Sequence, residues 1–150
     1  MKLTDNQEAW LKELESGNHA QCKERLITVE GEKASYCCLG VYAEHVLKLK
    51  REHCDDSMDH TTGFCFAFSN EDNDIYLGGY EALRLGLYDS TGKIKHVLDV
   101  KQKEKYFPAL VNFDSSVFKS LANINDAGAT FKEIARFIRD NPESVFNPNK

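Results

Sequence analysis

The sequence lacks any apolar run near the roughly 18–20 residues that a membrane-spanning helix needs. The first six residues also lack the apolar core of a secretory signal peptide. No basic excess is present, because 19 Lys and Arg residues stand against 24 Asp and Glu residues and the net charge is −5. General nucleic-acid binding requires such an excess. We therefore expect a cytoplasmic protein that binds neither membranes nor nucleic acids in general.

The five cysteines lack both an even number and the spacing of a disulfide framework. In a reducing compartment we expect them to be free thiols. The segment from His53 to His60 contains metal-competent side chains but lacks the paired spacing typical of zinc sites and the glycine of a calcium loop. Glycines are too sparse for a phosphate-cradling loop. These absences predict no metal site and no cofactor.

The chain also lacks internal repeats, low-complexity tracts and a linker long enough to divide it. Its 150 residues fit one domain, residues 1–150, and 41% hydrophobic with 29% charged residues is ordinary for a globular protein. We expect one α+β domain with helices at both ends packed around small antiparallel hairpins.

Helix signals are strongest near the two ends. Thr4 and Gln7 match a capping box, and Ser16-Gly17 ends the helix that follows, in which Trp10 is the expected core anchor. A stripe at helical spacing from Cys38 to Leu49 predicts a second helix ending in a basic last turn, and its Gly40 indicates close approach of another backbone, for which the helix over residues 131–138 is a candidate.

The C-terminal third carries further helix signals. Residues 117–121 are expected to be helical behind an Asp114 or Ser115 cap, and Thr130 with Glu133 forms a second capping box before the helix over residues 131–138. Asn141-Pro142 stops that helix and starts a last turn.

The middle of the chain predicts strands. Residues 25–36 form a hairpin turning at Gly31, residues 64–68 and 74–77 form a second hairpin, and residues 80–85 form a short helix. Charge is uneven here: residues 53–74 hold six acids and no Lys or Arg, whereas residues 93–105 hold five lysines and two acids. Each run is either a solvated face or a polar surface for a partner.

Two motifs in this order resemble a family of small uncharacterised phage and prophage proteins. The first is Tyr-Cys-Cys-Leu-Gly-Val at residues 36–41, behind the Trp10 helix. The second spans residues 121–138, with Asn-Asp-Ala-Gly at 125–128 followed by Thr-Phe-Lys-Glu-Ile-Ala. The resemblance implies an accessory protein, and because phages devote many small genes to host takeover it implies a host target and no catalytic residues.

Cys37 is the candidate for chemistry, since a thiol at a helix N-terminus can be a nucleophile. A cysteine-dependent hydrolase would use Cys37, with His96 as base and Asp99 as its orienting group. The alternative is core packing, because free cysteine is often buried. His45 lies on the same apolar stripe and reads as a buried, hydrogen-bonded histidine.

The first-choice function is binding without catalysis, of either a host protein or a small nucleotide signal, which could counter host defence. The candidate binding residues are two tyrosines, two lysines and a polar pair: Tyr76, Tyr80, Lys93, Lys95, Asn125 and Asp126. The aromatic residues could line a pocket for a base or could be core, and the lysines could meet a phosphate. Asn125 and Asp126 read either as a binding loop or as a turn leading into a helix. The sequence leaves the oligomeric state open.

Overall fold

A computed structural model describes residues 1–54, 63–66 and 76–148. The seven α-helices among these residues are α1 (Asp5–Ser16), α2 (Cys38–Val41), α3 (Gly79–Leu85), α4 (Val100–Tyr106), α5 (Leu121–Ala127), α6 (Phe131–Asp140) and α7 (Pro142–Val145). A π-helical turn (Tyr42–Val46) continues α2, and 3₁₀ turns cover Pro108–Leu110 and Ser115–Lys119. The strands are β1 (Ala20–Gln21), β2 (Ile27–Glu30), β3 (Lys33–Tyr36), β4 (Arg51–Cys54) and β5 (Gly63–Phe66). The α+β prediction is confirmed.

The predicted hairpin at residues 25–36 is β2 and β3, paired antiparallel, with Gly31 in the turn at φ 62°. The sequence did not indicate β1, which pairs parallel with the other edge of β3 and gives the order β1-β3-β2. This pairing brings residues 20 and 21 beside the end of β3, so the segment after α1 returns to the start of α2.

The second predicted hairpin has a different partner strand. β5 pairs antiparallel with β4, which precedes it. Tyr76 and Leu77 are outside any strand, and residues 74–75 lie outside the described residues. Residues 67–68 of the predicted hairpin also lie outside the described residues, and Arg51, predicted to be part of a basic helix end, is the first residue of β4.

The helix predicted from Cys38 to Leu49 is shorter than its stripe. α2 gives way to the π turn at Tyr42, and Lys48 then adopts φ 57°, the left-handed conformation that stops a helix. The spacing of apolar residues indicates only which side chains face the core. The residues of a π turn can still face the core, so the spacing does not reveal where the α-helical winding of α2 ends.

The helices pack around one hydrophobic core. α1 packs against α6, α2 and the π turn, and α6 also contacts α4, α5 and α7. Trp10 is the anchor that the sequence predicts: it is fully buried, its indole N–H donates to the Cys38 carbonyl at 2.8 Å, and its ring meets Tyr42 and Phe146 edge-on. The α1 and α6 capping boxes are confirmed.

Two features of the second half differ from prediction. α4 was not predicted, although Asp99 and Gln102 form a capping box at its start. Asn125 and Asp126 do not form a turn leading into a helix: they are the last turn of α5, and Gly128, at φ 108°, is its left-handed cap. Among the described residues, no helix has the length and apolar character needed to cross a membrane.

Candidate functional site

The Cys37–Cys38 pair lies where β3 turns into α2. Cys37 is the N-cap, and its Sγ accepts a hydrogen bond from the Gly40 N–H at 3.4 Å. Cys37 is 3% exposed and Cys38 is fully buried, with its thiol directed at the Leu121 carbonyl oxygen at 3.8 Å. The thiols are free, as is that of Cys22. The pair therefore packs the core.

Burial also decides the ionisation of these thiols. It raises the pKa of Cys37 to about 12 and that of Cys38 well above its ordinary value. His96 is exposed on the loop before α4, and the carboxylate of Asp99 is occupied in capping α4, where it accepts from the Gln102 N–H at 2.8 Å. A nucleophile needs a depressed pKa and access for substrate, so these features give the hydrolase hypothesis no support.

Asn125 is fully buried, and its side chain joins the two motifs that carried the family resemblance. Its Oδ1 accepts from the Cys38 N–H at 3.1 Å and from Gln21 Nε2 at 2.9 Å. Its Nδ2 donates to the Cys22 carbonyl at 2.9 Å and to Asp126 Oδ1 at 3.2 Å. All four hydrogen-bonding positions of the amide are used within the chain. Asn125, predicted as a binding residue, therefore links α5 to the segments that carry Gln21, Cys22 and Cys38 through its side-chain amide.

Asp126 is half-buried beside this junction. Its Oδ1 accepts from the Glu24 N–H at 2.9 Å, which supports Glu24 in a left-handed conformation at φ 65°. Asp126 also lines a cavity of about 310 Å³ whose other lining residues are Phe113, Ser116, Val117, Asn123 and Ala127. None of the predicted tyrosines or lysines lines that cavity.

The remaining predicted binding residues are at the surface. Tyr76 and Tyr80 are 37% and 62% exposed, and the guanidinium of Arg84 lies over the Tyr80 ring at 5.9 Å. Lys93 and Lys95 are exposed on the loop that leads to α4, with Lys95 Nζ 5.9 Å from the centre of the Tyr88 ring. The two lysines thus lie together on one loop, whereas the two tyrosines lie at the start of α3.

The loop that carries the lysines also exposes two valines. Val97 is 82% exposed and Val100 is 63% exposed, on either side of buried Leu98. The backbone is held on the core: the Ile94 N–H donates to the Lys119 carbonyl and the Lys95 N–H donates to the Ser144 carbonyl, both at 2.8 Å. We call Lys93, Lys95, Val97, Val100 and Lys101 the lysine–valine surface.

A second polar group lies between α1, β1 and the π turn, and the sequence did not reveal it. Glu13 Oε2 and His19 Nε2 are 2.8 Å apart, and the His19 and His45 rings are stacked at a tilt with centroids 4.1 Å apart. The Tyr36 ring meets both imidazoles edge-on, at 5.7 and 5.0 Å. Residues 13, 19 and 45 have no motif spacing, and they meet where α1 packs on the π turn and the segment before β1 passes beside both. We call Glu13, His19 and His45 the histidine cluster.

His45, predicted as a buried and hydrogen-bonded core histidine, is half-buried at the edge of the core and lacks the expected hydrogen bond among the described residues. Its Nε2 is buried and has no hydrogen-bond partner among the described residues. Burial and the neighbouring His19 lower the pKa of His45, which favours the neutral ring.

The carboxylate of Glu44, next to the histidine cluster, is hydrogen-bonded to two other side chains. Arg51 binds its carboxylate through two nitrogens, at 2.7 and 2.6 Å, and the Tyr36 hydroxyl donates to it at 3.0 Å. These bonds outweigh the opposing effect of burial, so the pKa of Glu44 is lowered.

The comparisons with known proteins place the chain in a family. Searches of the curated proteins and of the solved structures find no match to the chain. A family model described as Domain of unknown function (DUF8296) matches residues 2–142, and the chain belongs to that family.

Proposed function

We propose that this protein acts by binding, without catalysis, and that its partner is an acidic surface of another protein contacted by the lysine–valine surface. The observation that carries the proposal is the exposure of Val97 and Val100, at 82% and 63%, inside the most lysine-rich segment of the chain. Val97 is the most exposed large hydrophobic residue of the described part of the chain.

Charge supports an acidic partner. Residues 93–105 carry five lysines and two acids in a chain whose net charge is −5. One of the two acids, Asp99, is engaged as the α4 cap. Lys105 pairs with Asp140 and Lys103 is half-buried over the Phe118 ring, whereas Lys93, Lys95 and Lys101 are exposed. Such a patch steers an oppositely charged protein into contact.

The exposed valines add apolar contact area, which the lysine charges alone do not provide. Apolar side chains surrounded by polar ones are the usual composition of a protein–protein interface. Buried Ile94 and Leu98 fix the loop on which they lie, so little conformational entropy would be lost on binding.

The geometry favours a protein over a small nucleotide, the other ligand class suggested by the sequence. The cavity of about 310 Å³ carries the carboxylate of Asp126 and none of the lysines that a phosphate would need. The proposed surface is instead a loop and the first turn of a helix.

The resemblance to phage and prophage accessory proteins extends the proposal to a biological role. On that reading the partner is a host protein, the site of action is the host cytoplasm, and binding counters host defence.

A charge-reversal experiment tests the surface. The variant K93E/K95E/K101E is compared with K12E/K33E/K132E, which makes the same charge change at three exposed lysines elsewhere. Proteins captured from a bacterial lysate are identified, purified and titrated against both variants and the unmodified chain. We expect a net-acidic partner whose affinity falls at least about tenfold with the first variant, stays within about twofold with the second, and weakens with salt.

Three results would overturn the proposal. One is a partner that binds both variants equally, and another is failure to capture any saturable partner at physiological salt. The third comes from thermal shift measurements with cyclic and linear nucleotides. A nucleotide that raises the melting temperature would show that the ligand is a small nucleotide and not a protein.

A further inference from the structure

We propose that the histidine cluster is a binding site for a divalent transition-metal ion of the zinc type, held by Glu13, His19 and His45. One ligand atom from each of the three residues lies within 4.8 Å of the others. The three come from α1, from the loop before β1 and from the π turn, so an ion here would join three elements of the fold.

The spacing suits a metal after a small side-chain rotation. Tetrahedral zinc with bonds of about 2.0–2.1 Å places its ligand atoms roughly 3.3 Å apart. Glu13 Oε2 and His19 Nε2 are already at 2.8 Å. An ion between these two atoms would take the place of their hydrogen bond, with the neutral Nδ1–H tautomer of His19 binding through the Nε2 lone pair, and any imidazolium form of His19 would release its second proton to solvent.

His45 provides the observation that points to a ligand. A buried polar atom without a partner is costly, and native proteins rarely leave one. The Nε2 of His45 is such an atom among the residues that the structure describes, and it lies beside the closely packed His19 ring. The side chain of His19 is only 8% exposed and it packs beside the buried Nε2 of half-buried His45, where a metal ion would satisfy both imidazoles.

The donor set selects the class of metal. Two imidazoles and one carboxylate match the open zinc sites of proteins, whereas Mg²⁺ and Ca²⁺ prefer oxygen ligands throughout. Glu44 is withheld from the ion by its two bonds to Arg51 and the hydroxyl of Tyr36. With three protein ligands, at least one coordination position remains for water.

Local winding places His45 in the cluster. The i→i+5 bond from the Leu47 N–H to the Tyr42 carbonyl marks the π turn in which His45 lies. π-helical turns are rare and frequently occur at functional sites. The turn rotates the residues after Tyr42 relative to a regular helix, and His45 meets the loop that carries His19.

Metal titration of the full chain tests the site. The protein is stripped with EDTA, dialysed and titrated with Zn²⁺ by calorimetry, and with Co²⁺ to record its d–d absorption. We expect one ion per chain, release of protons, no thiolate-to-metal charge-transfer band and a higher melting temperature with saturating Zn²⁺. H19Q and H45Q should each weaken Zn²⁺ binding by at least about 100-fold, and E13Q by about 10-fold or more.

The control variant is H96Q, which replaces an exposed histidine outside the cluster and should bind Zn²⁺ within about twofold of the unmodified chain. Glu13 is 37% exposed, so E13Q keeps the test valid if either histidine variant fails to fold. The proposal would be overturned by Zn²⁺ binding weaker than about 100 μM in the unmodified chain. It would equally be overturned if E13Q and a folded histidine variant bound Zn²⁺ like the unmodified chain, or if the Co²⁺ spectrum showed thiolate ligands.

Discussion

At the residue scale, the contact between Gly40 and Leu26 determines what α2 tolerates. A Cβ added at Gly40 would lie 1.8 Å from the carbonyl oxygen of Leu26. The predicted close approach of another backbone is confirmed, but the neighbour is the segment leading to β2 and not the helix over residues 131–138. Pattern reasoning identifies the need for a glycine without identifying what approaches it.

We expect Gly40→Ala to lower the free energy of unfolding by at least about 2–3 kcal/mol, because the clash is with backbone that cannot rotate away. Urea unfolding measures the loss. The matched control is Gly79→Ala: Gly79 is at the exposed start of α3 with nothing within 4 Å of an added Cβ, and alanine there should be neutral or stabilise by about 0.5 kcal/mol. Equal stability of the two variants would contradict the prediction.

Because the Cys37 thiol is buried, we expect the folded chain to lose stability at alkaline pH. Its pKa is raised by burial from 9.0 to about 12 in the folded chain, so the unfolded chain ionises first as the pH rises. The stability linked to this group is present below the unfolded pKa and is lost as the pH rises from there toward the folded pKa, by about 1.4 kcal/mol per pH unit.

The measurement is the free energy of unfolding between about pH 8 and pH 10.5 for the unmodified chain and Cys37→Ser. Serine can accept the Gly40 N–H as an N-cap and does not ionise in this range, so the variant should lose less stability. Buried Cys38 and Tyr42 also have raised pKa values, so part of the pH dependence of stability should remain in both proteins. Parallel pH profiles would show that Cys37 is not the group responsible.

At the scale of elements, Arg139 links α6 to α1. Its guanidinium contacts Glu15 through two nitrogens, at 2.5 and 3.0 Å, and Glu8 through a third at 3.0 Å. Arg139→Gln should cost about 1 kcal/mol, at the upper end for a pair at the surface because the guanidinium is shared between two carboxylates.

Salt dependence distinguishes this link from packing. Thermal unfolding of Arg139→Gln and of the control Arg136→Gln, an exposed arginine on the same helix, is compared at low and high salt. The difference between the two variants should shrink at about 1 M salt, where charges at the surface are screened. If the difference in thermal stability between the two variants is the same at low and high salt, the stability lost in Arg139→Gln comes from packing of the aliphatic part of Arg139.

Most elements set by nearby residues could be predicted, α4 with its Asp99–Gln102 capping box being an exception, and those set by distant residues could not. Capping boxes, the glycine turn of β2–β3 and the stop at Asn141-Pro142 depend on residues a few positions apart. The π turn, the parallel β1–β3 pair and the histidine cluster depend on contacts between distant segments. Asn125 shows the same limit, since an Asn-Asp-Ala-Gly run fits a loop and a helix end equally well until Cys38 and Gln21 are seen to bind it.

At the scale of the whole molecule, the last described residues complete the core. Phe146 is fully buried against Trp10, with ring centroids 6.3 Å apart, and it forms an isolated bridge with Leu87. It lies beyond the residues that the family model matches, 2–142.

Phe146→Ala should therefore cost about 3–4 kcal/mol, the usual cost of emptying a filled aromatic site. Phe113→Ala, at a phenylalanine that is 46% exposed, is the control and should cost less than about 1 kcal/mol. Denaturant unfolding of the two variants gives the comparison. A small loss for Phe146 would mean that neighbouring side chains refill the site.

The contact between Trp10 and Phe146 also has a consequence for synthesis. Because the two rings are 136 positions apart in the chain, α1 cannot acquire its final surroundings until Phe146 has been synthesised and has left the ribosome. Trp10 is the only tryptophan of the sequence, so its intrinsic fluorescence reports on the contact between α1 and Phe146.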